Sequence, residues 1–330
     1  MSATRFGLAL ALATSLTLIG CAGDRGDGGD ERVTLSFVGD ILLDSAPGRA
    51  ISRGQDPFAP TAALLKASDL SLGNLECPVA TSGAAVDKIY TFRAAPSTLP
   101  LLAQYFAAVS VANNHSGDYG REAFRETLDQ LTAARLPYFG GGRDLSEAHR
   151  PLVLEKRGLK IALLGYDDYH PRSFEAAPDR PGVAWAEDEQ IIWDIARARR
   201  AGANIVLPFL HWGWENEPGP SARQRELAHA LIDAGADAVI GSHPHVTQGA
   251  EMYRGKPIVY SLGNFVFDLL DRPENADGWV LELVVDRNGV RRFSTRAVHI
   301  DEQGTPAPVA GSATPCGVRG ARVVSYCQPR

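Results

Sequence analysis

The chain has 330 residues, of which 45% are hydrophobic and 22% are charged, and its 33 basic and 39 acidic side chains leave a net charge of −6. This composition is typical of a globular protein and argues against a disordered chain, a collagen-like repeat or a protein with many membrane spans. The acidic balance and the lack of a basic run argue against nucleic acid as a partner.

The first 32 residues predict an export signal followed by a tether. Residues 7–20 are uncharged and mostly apolar, too short for the about 20 residues of a membrane-spanning helix but suited to a signal peptide. Residues 18–21 (LIGC) are similar to a bacterial lipobox, in which the thiol of Cys21 receives lipid. A plain secretory signal with an incidental cysteine is the alternative. We therefore expect a lipoprotein signal peptide over 1–20, a Gly/Asp-rich flexible tether over 21–32, and a membrane-anchored protein on the periplasmic or cell-surface side.

Three more cysteines follow the lipobox. In an oxidising compartment, Cys316 and Cys327 are expected to form a disulfide that closes a small C-terminal loop, with Cys77 left unpaired. The sequence contains no CxxC pair, which argues against a thiolate zinc site and a thioredoxin-like redox motif.

From residue 33 onward, strand-like and helix-like segments alternate. Short β-rich or apolar runs predict strands at 33–38, 69–73, 107–112, 152–155, 159–165, 205–210, 238–241, 258–260, 279–286 and 290–300. Helical spacing and caps predict helices at 58–66, after Asp118, at 187–200, and between Ser221 and Gly235. This order predicts one α/β domain with mixed sheets over 33–300. The Gly-, Pro- and Ala-rich residues 301–330 predict a poorly structured tail.

Polar side chains that suit a metal follow most of the predicted strands. They are, in chain order, Asp40, Glu76, Asn114, His115, His211, His243 and His245. Ligands of open α/β sheets bind at the carboxyl ends of the strands, so we expect these side chains to lie close together. Each one alone has an ordinary explanation, such as a helix cap or a hydrogen-bonded histidine. Together they predict a site for one or two divalent ions, with manganese, iron or zinc preferred over calcium.

Six stretches of the chain resemble the CapA-type proteins linked to poly-γ-glutamate capsule synthesis, within the calcineurin-like metallophosphatase superfamily. They are VGDILLD, LSLGNLECPV, YTFRAAP, VANNHSGDYG, FLHWGWENEPGPSARQRELAHALIDAGADAVIGSHPHV and PIVYSLGNFVFD. They occur in the family's order over about residues 33–268. The resemblance implies a metallophosphatase-like αββα sandwich with mixed sheets.

The resemblance also implies a role for each motif residue. Asp40 and His245 correspond to ligands of a first metal ion, Glu76 to a bridging carboxylate, and Asn114, His211 and His243 to ligands of a second ion. His115 corresponds to the group that donates a proton to the leaving group. The chain departs from the superfamily at Leu42, where a histidine is usual, and at Glu76, where an aspartate is usual.

Three further residues are candidates for binding substrate. Arg93 occupies a position typical of the family and could bind a carboxylate or phosphate, with a surface ion pair as the alternative. Trp212 and Glu215 could line the mouth of the site, with packing as the alternative for the tryptophan. Asp118 is expected to cap the helix that follows it.

Two functions stay open from the sequence. The first is an exported, metal-dependent hydrolase of a phosphoester or an anionic polymer, involved in poly-γ-glutamate capsule synthesis. The second is a non-catalytic subunit, tethered by lipid, that binds the polymer in a synthesis or export complex. The ligand set favours the hydrolase, whereas Leu42, which stands where a metal-binding histidine is usual, favours the binding subunit.

Overall fold

The computed structural model describes residues 1–2, 32–312 and 314–318. The described residues from 32 onward belong to one compact unit. The predicted lipidation site Cys21 and the disulfide partner Cys327 lie outside the described residues, as does nearly all of the predicted signal peptide and tether. Within the described part of the chain, none of the helices combines the length and the apolar character needed to cross a bilayer.

The strands and helices alternate along the chain, as the sequence predicts. The strands are β1 (Val33–Ile41), β2 (Leu70–Leu75), β3 (Ala108–Ser110), β4 (Tyr138–Phe139), β5 (Gly141–Gly142), β6 (Leu152–Lys156), β7 (Leu159–Asp167), β8 (Gly182–Val183), β9 (Ile205–His211), β10 (Val239–Ser242), β11 (Thr247–Tyr253), β12 (Lys256–Leu262), β13 (Asn264–Val266), β14 (Asp277–Asp286), β15 (Gly289–Ile300), β16 (Pro306–Pro308) and β17 (Thr314–Val318). The helices are α1 (Ser45–Ser52), α2 (Ala62–Lys66), α3 (Leu99–Leu102), α4 (Gly120–Ala133), α5 (Leu145–Ala148), α6 (Asp188–Arg200) and α7 (Ala222–Asp233).

Two mixed sheets form the centre of the domain. The larger sheet has the order β16-β15-β14-β1-β2-β3-β4, with β13 also paired to β1 and β17 to β15. Its strands β1 to β4 run parallel, whereas β14 runs antiparallel to β1. The second sheet has the order β11-β12-β10-β9-β7-β6, with a parallel centre and antiparallel edges. The predicted α/β class with mixed sheets is confirmed.

The two sheets pack face to face, and helices cover their outer faces. Phe37 of the larger sheet meets Phe209 of the second sheet edge to face, with ring centroids 5.8 Å apart, inside the apolar layer between the sheets. Leu128 of α4 is buried against the outer face of the larger sheet. Ile195 of α6 and Leu227 of α7 are buried against the outer face of the second sheet. The layers therefore follow the order αββα.

The larger sheet continues beyond residue 300, which corrects the predicted end of the domain. Both β16 and β17 pair antiparallel with β15. Such short edge strands are held largely by backbone hydrogen bonds, so their side chains need not alternate, and the pattern of the sequence does not reveal them. The hairpin predicted between β14 and β15 is confirmed, and its Gly289 has the positive φ of +104° that a tight turn requires.

Candidate metal centre

The carboxyl ends of strands from both sheets meet at one edge of the sandwich. Asp40 lies near the end of β1 and pairs in register with Asn264 of β13. Strand β1 approaches the turn before β13 closely because Gly39 has no side chain. A Cβ atom at Gly39 would lie 1.8 Å from the carbonyl oxygen of Gly263. Glu76 directly follows β2, the parallel neighbour of β1.

The second sheet contributes three histidines to this edge. His211 ends β9, and His243 and His245 follow β10. The φ angles of His243 and His245 are +100° and +56°, which is unusual for residues other than glycine. Such strain persists where the surroundings enforce it, and it clusters at functional sites. The ring centroid of His243 lies 4.6 Å from that of His211 and 5.8 Å from that of His245.

Two sets of three side chains offer ligand atoms that are close enough to hold a metal ion. One set is Glu76, His211 and His243, and the other is Asp40, Glu76 and His245. Within each set, the ligand atoms all lie within 4.8 Å of one another. Glu76 belongs to both sets, so its carboxylate lies between them. Four of the five side chains are almost fully buried, and that of His245 is 14% exposed.

Two buried atoms of this centre have no hydrogen-bond partner among the described residues. They are Oε1 of Glu76 and Nε2 of His243. A buried polar atom that stays unpaired costs about 1–3 kcal/mol, so native structures rarely leave one without a reason. Carboxylate oxygens and imidazole nitrogens are ligands for first-row divalent ions. The side chains present therefore fit a metal centre.

Nε2 of His211 lies at the middle of one set. It is 2.8 Å from Oδ1 of Asn114, 3.0 Å from Nδ1 of His243 and 3.7 Å from Oε1 of Glu76. Two imidazole nitrogens and two side-chain oxygens thus converge, which is the donor set that the resemblance implies for the second ion. Asn114 extends this set of three to four side chains.

The other set has fewer donors. Oδ2 of Asp40 lies 3.4 Å from Nδ1 of His245, which is also 2.9 Å from Oδ1 of Asn264. Leu42, at the position where the resemblance led us to expect a histidine, is fully buried in the apolar core. An ion in this set would therefore have three side-chain ligands, one fewer than an ion in the set that Asn114 extends.

Burial and neighbouring charges set the pKa values of the two central carboxyl groups apart. Burial raises the pKa of Asp40, but its hydrogen bond with His245 and the nearby imidazole of His211 outweigh this effect and lower the pKa to about 2. Burial raises the pKa of Glu76 well above its usual value, and the adjacent Asp40 raises it further. Asp40 is thus ionised at neutral pH. The ionised form of Glu76 is disfavoured as long as no metal ion supplies a positive charge beside it.

Burial has the opposite effect on two of the histidines. It lowers the pKa of His211 to about 3, although the nearby carboxylate of Asp40 acts in the other direction. Burial and then the neighbouring His211 lower the pKa of His243 well below its usual value. Both imidazoles are therefore neutral at pH 7, and the neutral imidazole is the form that binds metal ions.

Asn74 organises the carboxylates and is missing from the residues that the sequence singled out. Its Nδ2 donates to Oδ1 of Asp40 at 2.9 Å and to Oε2 of Glu76 at 3.3 Å. Its Oδ1 accepts a hydrogen bond from Nδ2 of Asn113 at 3.0 Å, which turns the amide nitrogen of Asn74 toward the carboxylates. The signal was available, because Asn74 and Glu76 are two residues apart and strand periodicity places such residues on one face.

His115 lies beside the two sets and is held by Asp118. Nδ1 of His115 is 2.7 Å from Oδ2 of Asp118, and its ring centroid lies 4.6 Å from that of Phe92. Burial lowers the pKa of His115, while the Asp118 carboxylate acts to raise it. Oδ1 of Asp118 accepts from Nζ of Lys88 at 2.7 Å. These contacts make His115 an oriented group that can exchange a proton.

The expected role of Asp118 as a helix cap is wrong. Helix α4 begins at Gly120, its N-cap is Tyr119, and no side chain caps it. The carboxylate of Asp118 is instead hydrogen-bonded to His115, to Lys88 and to the backbone N–H of Phe92.

The guanidinium of Arg93 contacts an aromatic ring and the backbone of the loop that precedes it. Its guanidinium lies 4.1 Å from the ring centroid of Tyr119. Nη1 donates to the backbone carbonyl groups of Thr81, Ser82 and Gly83, at 3.1 to 3.5 Å. These contacts fix the loop before Arg93 and use Nη1, whereas Nε and Nη2 make no hydrogen bond among the described residues. Arg93 therefore stays a candidate for binding an anion.

Trp212 and Glu215 differ in their exposure. Trp212 is fully buried, and its Nε1 donates to the carbonyl oxygen of Tyr260 at 2.8 Å, so the expectation that it lines the mouth is corrected to packing. Glu215 is exposed and lines a cavity of about 50 Å³ together with His115 and His245. Glu215 therefore stays a candidate for contact with substrate.

A larger cavity, of about 630 Å³, also reaches the candidate metal centre. Asn114, Lys88, Asp167 and Tyr169 are among the residues that line it. The ring centroid of Tyr169 lies 4.4 Å from that of His243. Burial, and then the neighbouring charge of Asp168, raise the pKa of Asp167 to about 8, although the backbone N–H of Tyr169 acts to lower it.

Residues 34–269 match the family described as "Bacterial capsule synthesis protein PGA_cap". The chain is 36% identical over 290 residues to the PGA biosynthesis protein CapA of Bacillus subtilis (strain 168), a match that covers 85% of this chain and 74% of the relative. It is 31% identical over 293 residues to the capsule biosynthesis protein CapA of Bacillus anthracis, with 86% and 71% covered.

Solved structures with the same fold include two nucleotidases. The 5'-nucleotidase precursor from Thermus thermophilus superposes with a TM-score of 0.52 at 14% identity, over 84% of this chain and 56% of that one. The NAD nucleotidase (NadN) of Haemophilus influenzae gives 0.51 at 13% identity, over 85% and 60%. This chain thus matches little more than half of either protein. At such identities the likeness concerns the fold, and the metallophosphatase-like sandwich that the resemblance implied is confirmed.

Proposed function

Because this chain belongs to the PGA_cap family of bacterial capsule synthesis proteins, we propose that it is an exported, lipid-anchored hydrolase that acts on a phosphoester or on an anionic glutamate polymer during capsule formation. The observation that carries the catalytic part of this proposal is the shared carboxylate. Glu76 lies in both candidate ligand sets, and its Oε1 is buried without a hydrogen-bond partner in the described part of the chain.

The side chains of the centre have two roles: most would bind metal ions, and His115 lies beside them. Asp40 and His245 would hold one ion, Asn114, His211 and His243 a second, and Glu76 would contact both. A divalent ion supplies Lewis acidity toward a phosphoryl or carbonyl oxygen. His115 belongs to neither set and is fixed through Nδ1 by Asp118. Its Nε2 is therefore the atom that we assign to proton transfer with the leaving group.

The acidic surroundings imply that metal is needed before an anion can bind. Asp40, Glu76 and Asp118 lie within the centre, and Glu215 lines its smaller cavity. Without cations these carboxylates would repel a phosphate or a polyglutamate chain. Two divalent ions would neutralise the charge of these four carboxylates.

A non-catalytic polymer-binding subunit of a synthesis or export complex is the second candidate function. The burial of Leu42 favours it, because the set of Asp40, Glu76 and His245 then lacks the donor that a histidine at that position would supply. A single ion in the other set would suffice to bind an anionic polymer.

The test is metal content together with turnover on the purified full-length chain. We expect one or two equivalents of manganese, iron or zinc by mass spectrometry, and metal-dependent hydrolysis of an aryl phosphate ester or of poly-γ-glutamate. His211→Ala should lose metal, whereas His299→Ala, which alters an exposed histidine on β15, should keep it. Wild-type protein that stays metal-free after incubation with each ion would contradict the metal centre. Metal-loaded protein that hydrolyses neither substrate would favour the binding subunit.

Export and anchoring are tested separately. Cys21→Ser should move the protein from the membrane fraction to the soluble fraction and remove the mass of the lipid. Equal fractionation of Cys21→Ser and wild type would contradict the anchor. Peptide mapping without reductant tests the proposed disulfide between Cys316 and Cys327.

A further inference from the structure

The larger cavity contains a carboxyl group that has no charged partner. Asp167 ends β7, is 4% exposed and lines the cavity. The only side-chain hydrogen bond that Asp167 makes within the described residues joins its Oδ1 to the backbone N–H of Tyr169. A buried carboxyl group normally has several hydrogen-bond donors or a cation, so Asp167 is left to be completed by a ligand.

The cations that line this cavity are already engaged. Nζ of Lys88 lies 2.7 Å from Oδ1 of Asp118 and 3.0 Å from the carbonyl oxygen of Asn114. Arg121 donates to the backbone carbonyl groups of Ser173, Glu175 and Pro181. Neither cation makes a contact with Asp167 in the described structure. A ligand that carries a positive charge would therefore give Asp167 the cationic partner that these two side chains do not supply.

A second feature of the cavity suits an anion. Helix α4 has 14 residues and starts at Gly120, which lines the cavity together with Gly117. No side chain caps this helix. The N–H of Gly120 donates to the carbonyl oxygen of Gly117, but the N–H groups of Arg121 and Glu122 make no hydrogen bond among the described residues and lie at the positive end of the helix dipole. The cavity thus offers a site for a cation at Asp167 and a site for an anion at α4.

We propose that this cavity binds the amino-terminal residue of a γ-linked glutamate chain, with its ammonium group on Asp167 and its α-carboxylate at the start of α4. This inference rests on the proposed function, from which it takes the glutamate polymer. In a γ-linked chain the first residue keeps both its α-amino and its α-carboxyl group free, because the linkage uses the side-chain carboxyl. In an α-linked chain the first residue keeps its α-amino group and its side-chain carboxyl group, but its α-carboxyl group is used by the linkage.

The position of the cavity relates this binding to the metal centre. Asn114 lines the cavity and also lies 2.8 Å from Nε2 of His211. The ring of Tyr169, another lining residue, contacts that of His243. A chain whose first residue fills the cavity would therefore run toward the candidate ligands, so the cavity would select one end of the polymer.

The experiment is calorimetric titration of the purified full-length, manganese-loaded chain with three probes. They are γ-linked triglutamate, its N-acetylated form and α-linked triglutamate. We expect wild type to bind the γ-linked probe at least tenfold more tightly than either of the others, since each lacks one charge-assisted contact. Asp167→Asn should bind the free and the acetylated γ-linked probes equally. Asp179→Asn, which alters an exposed residue of the same connection between β7 and β8, should keep the preference.

Equal affinity of wild type for the free and the acetylated γ-linked probes, or no binding of any probe, would overturn the inference. This result does not depend on whether Asp167→Asn folds. A preference that persists in well-folded Asp167→Asn would also overturn it. Turnover of an aryl phosphate ester and of poly-γ-glutamate, measured on the same samples, separates the two proposals. Hydrolysis of either substrate without the binding preference would contradict only the cavity assignment. The binding preference without hydrolysis of either substrate would contradict only the catalytic part of the proposed function.

Discussion

Nδ1 of His115 lies 2.7 Å from Oδ2 of Asp118, and both side chains are buried next to the candidate metal centre. The second oxygen of Asp118 is held by Lys88 at 2.7 Å. With both oxygens engaged, the carboxylate cannot rotate without breaking a contact, so it fixes the plane of the imidazole. His115 is therefore oriented through a chain of three side chains that includes none of the ligands.

Substitution of this pair should separate turnover from metal binding. We expect His115→Ala to retain metal and to lower kcat by about 10²–10⁴-fold, the usual contribution of a positioned acid or base. Asp118→Asn should lower kcat by a smaller factor with KM nearly unchanged, because Asp118 is a positioning residue. Steady-state kinetics and metal analysis on the same samples give the answer, with His299→Ala as control. Loss of metal in parallel with activity would place His115 among the ligands instead.

Asn74 should support metal affinity although it belongs to neither ligand set. Asn74→Ala removes the N–H donor shared by Asp40 and Glu76. We expect metal affinity to fall by about 10–100-fold, as is usual when a partner that orients ligands is lost. Competition with a chelator measures this affinity. The exposed Asn288→Ala, in the turn before β15, should match wild type, and equal affinities for all three proteins would show that Asn74 only fills space.

Local patterns predict the elements that carry the site, and long-range partners decide the rest. Phe124, Leu128 and Leu131 have helical spacing, and all three are buried on α4. Residues that follow strands in the sequence also meet in space, because parallel strands end at a common edge. Spacing says nothing, however, about which distant group competes for a side chain. Asp118 was expected to cap α4, but Lys88, 30 residues earlier, helps to hold it elsewhere.

Asp167 should make the stability of the protein depend on pH. Its pKa is raised from 3.8 to about 8 in the folded state, so the folded protein retains a proton that the unfolded chain releases. This contribution is complete below about pH 4 and is lost as the pH rises through about 8. Asparagine cannot ionise. The free energy of unfolding of Asp167→Asn minus that of wild type should therefore rise between pH 4 and pH 9, by on the order of 3–5 kcal/mol.

Urea denaturation at both pH values, with metal removed, measures this difference. Asp179→Asn serves as the control, because its carboxylate is exposed in the folded protein. A difference between Asp167→Asn and wild type that stays constant from pH 4 to pH 9 would contradict the raised pKa of Asp167.

Truncation of two neighbouring tryptophans should change the stability of the protein to very different extents. Trp212 is fully buried, stacks on Tyr260 with ring centroids 6.2 Å apart and donates a hydrogen bond to its carbonyl oxygen. Trp214 is 62% exposed. Trp212→Ala should lower the free energy of unfolding by about 3–5 kcal/mol, through lost burial and the cavity left behind. Trp214→Ala should change it by less than about 0.5 kcal/mol. Denaturant titration of both variants measures the contrast, and similar stabilities for the two would mean that Trp212 is not part of the core.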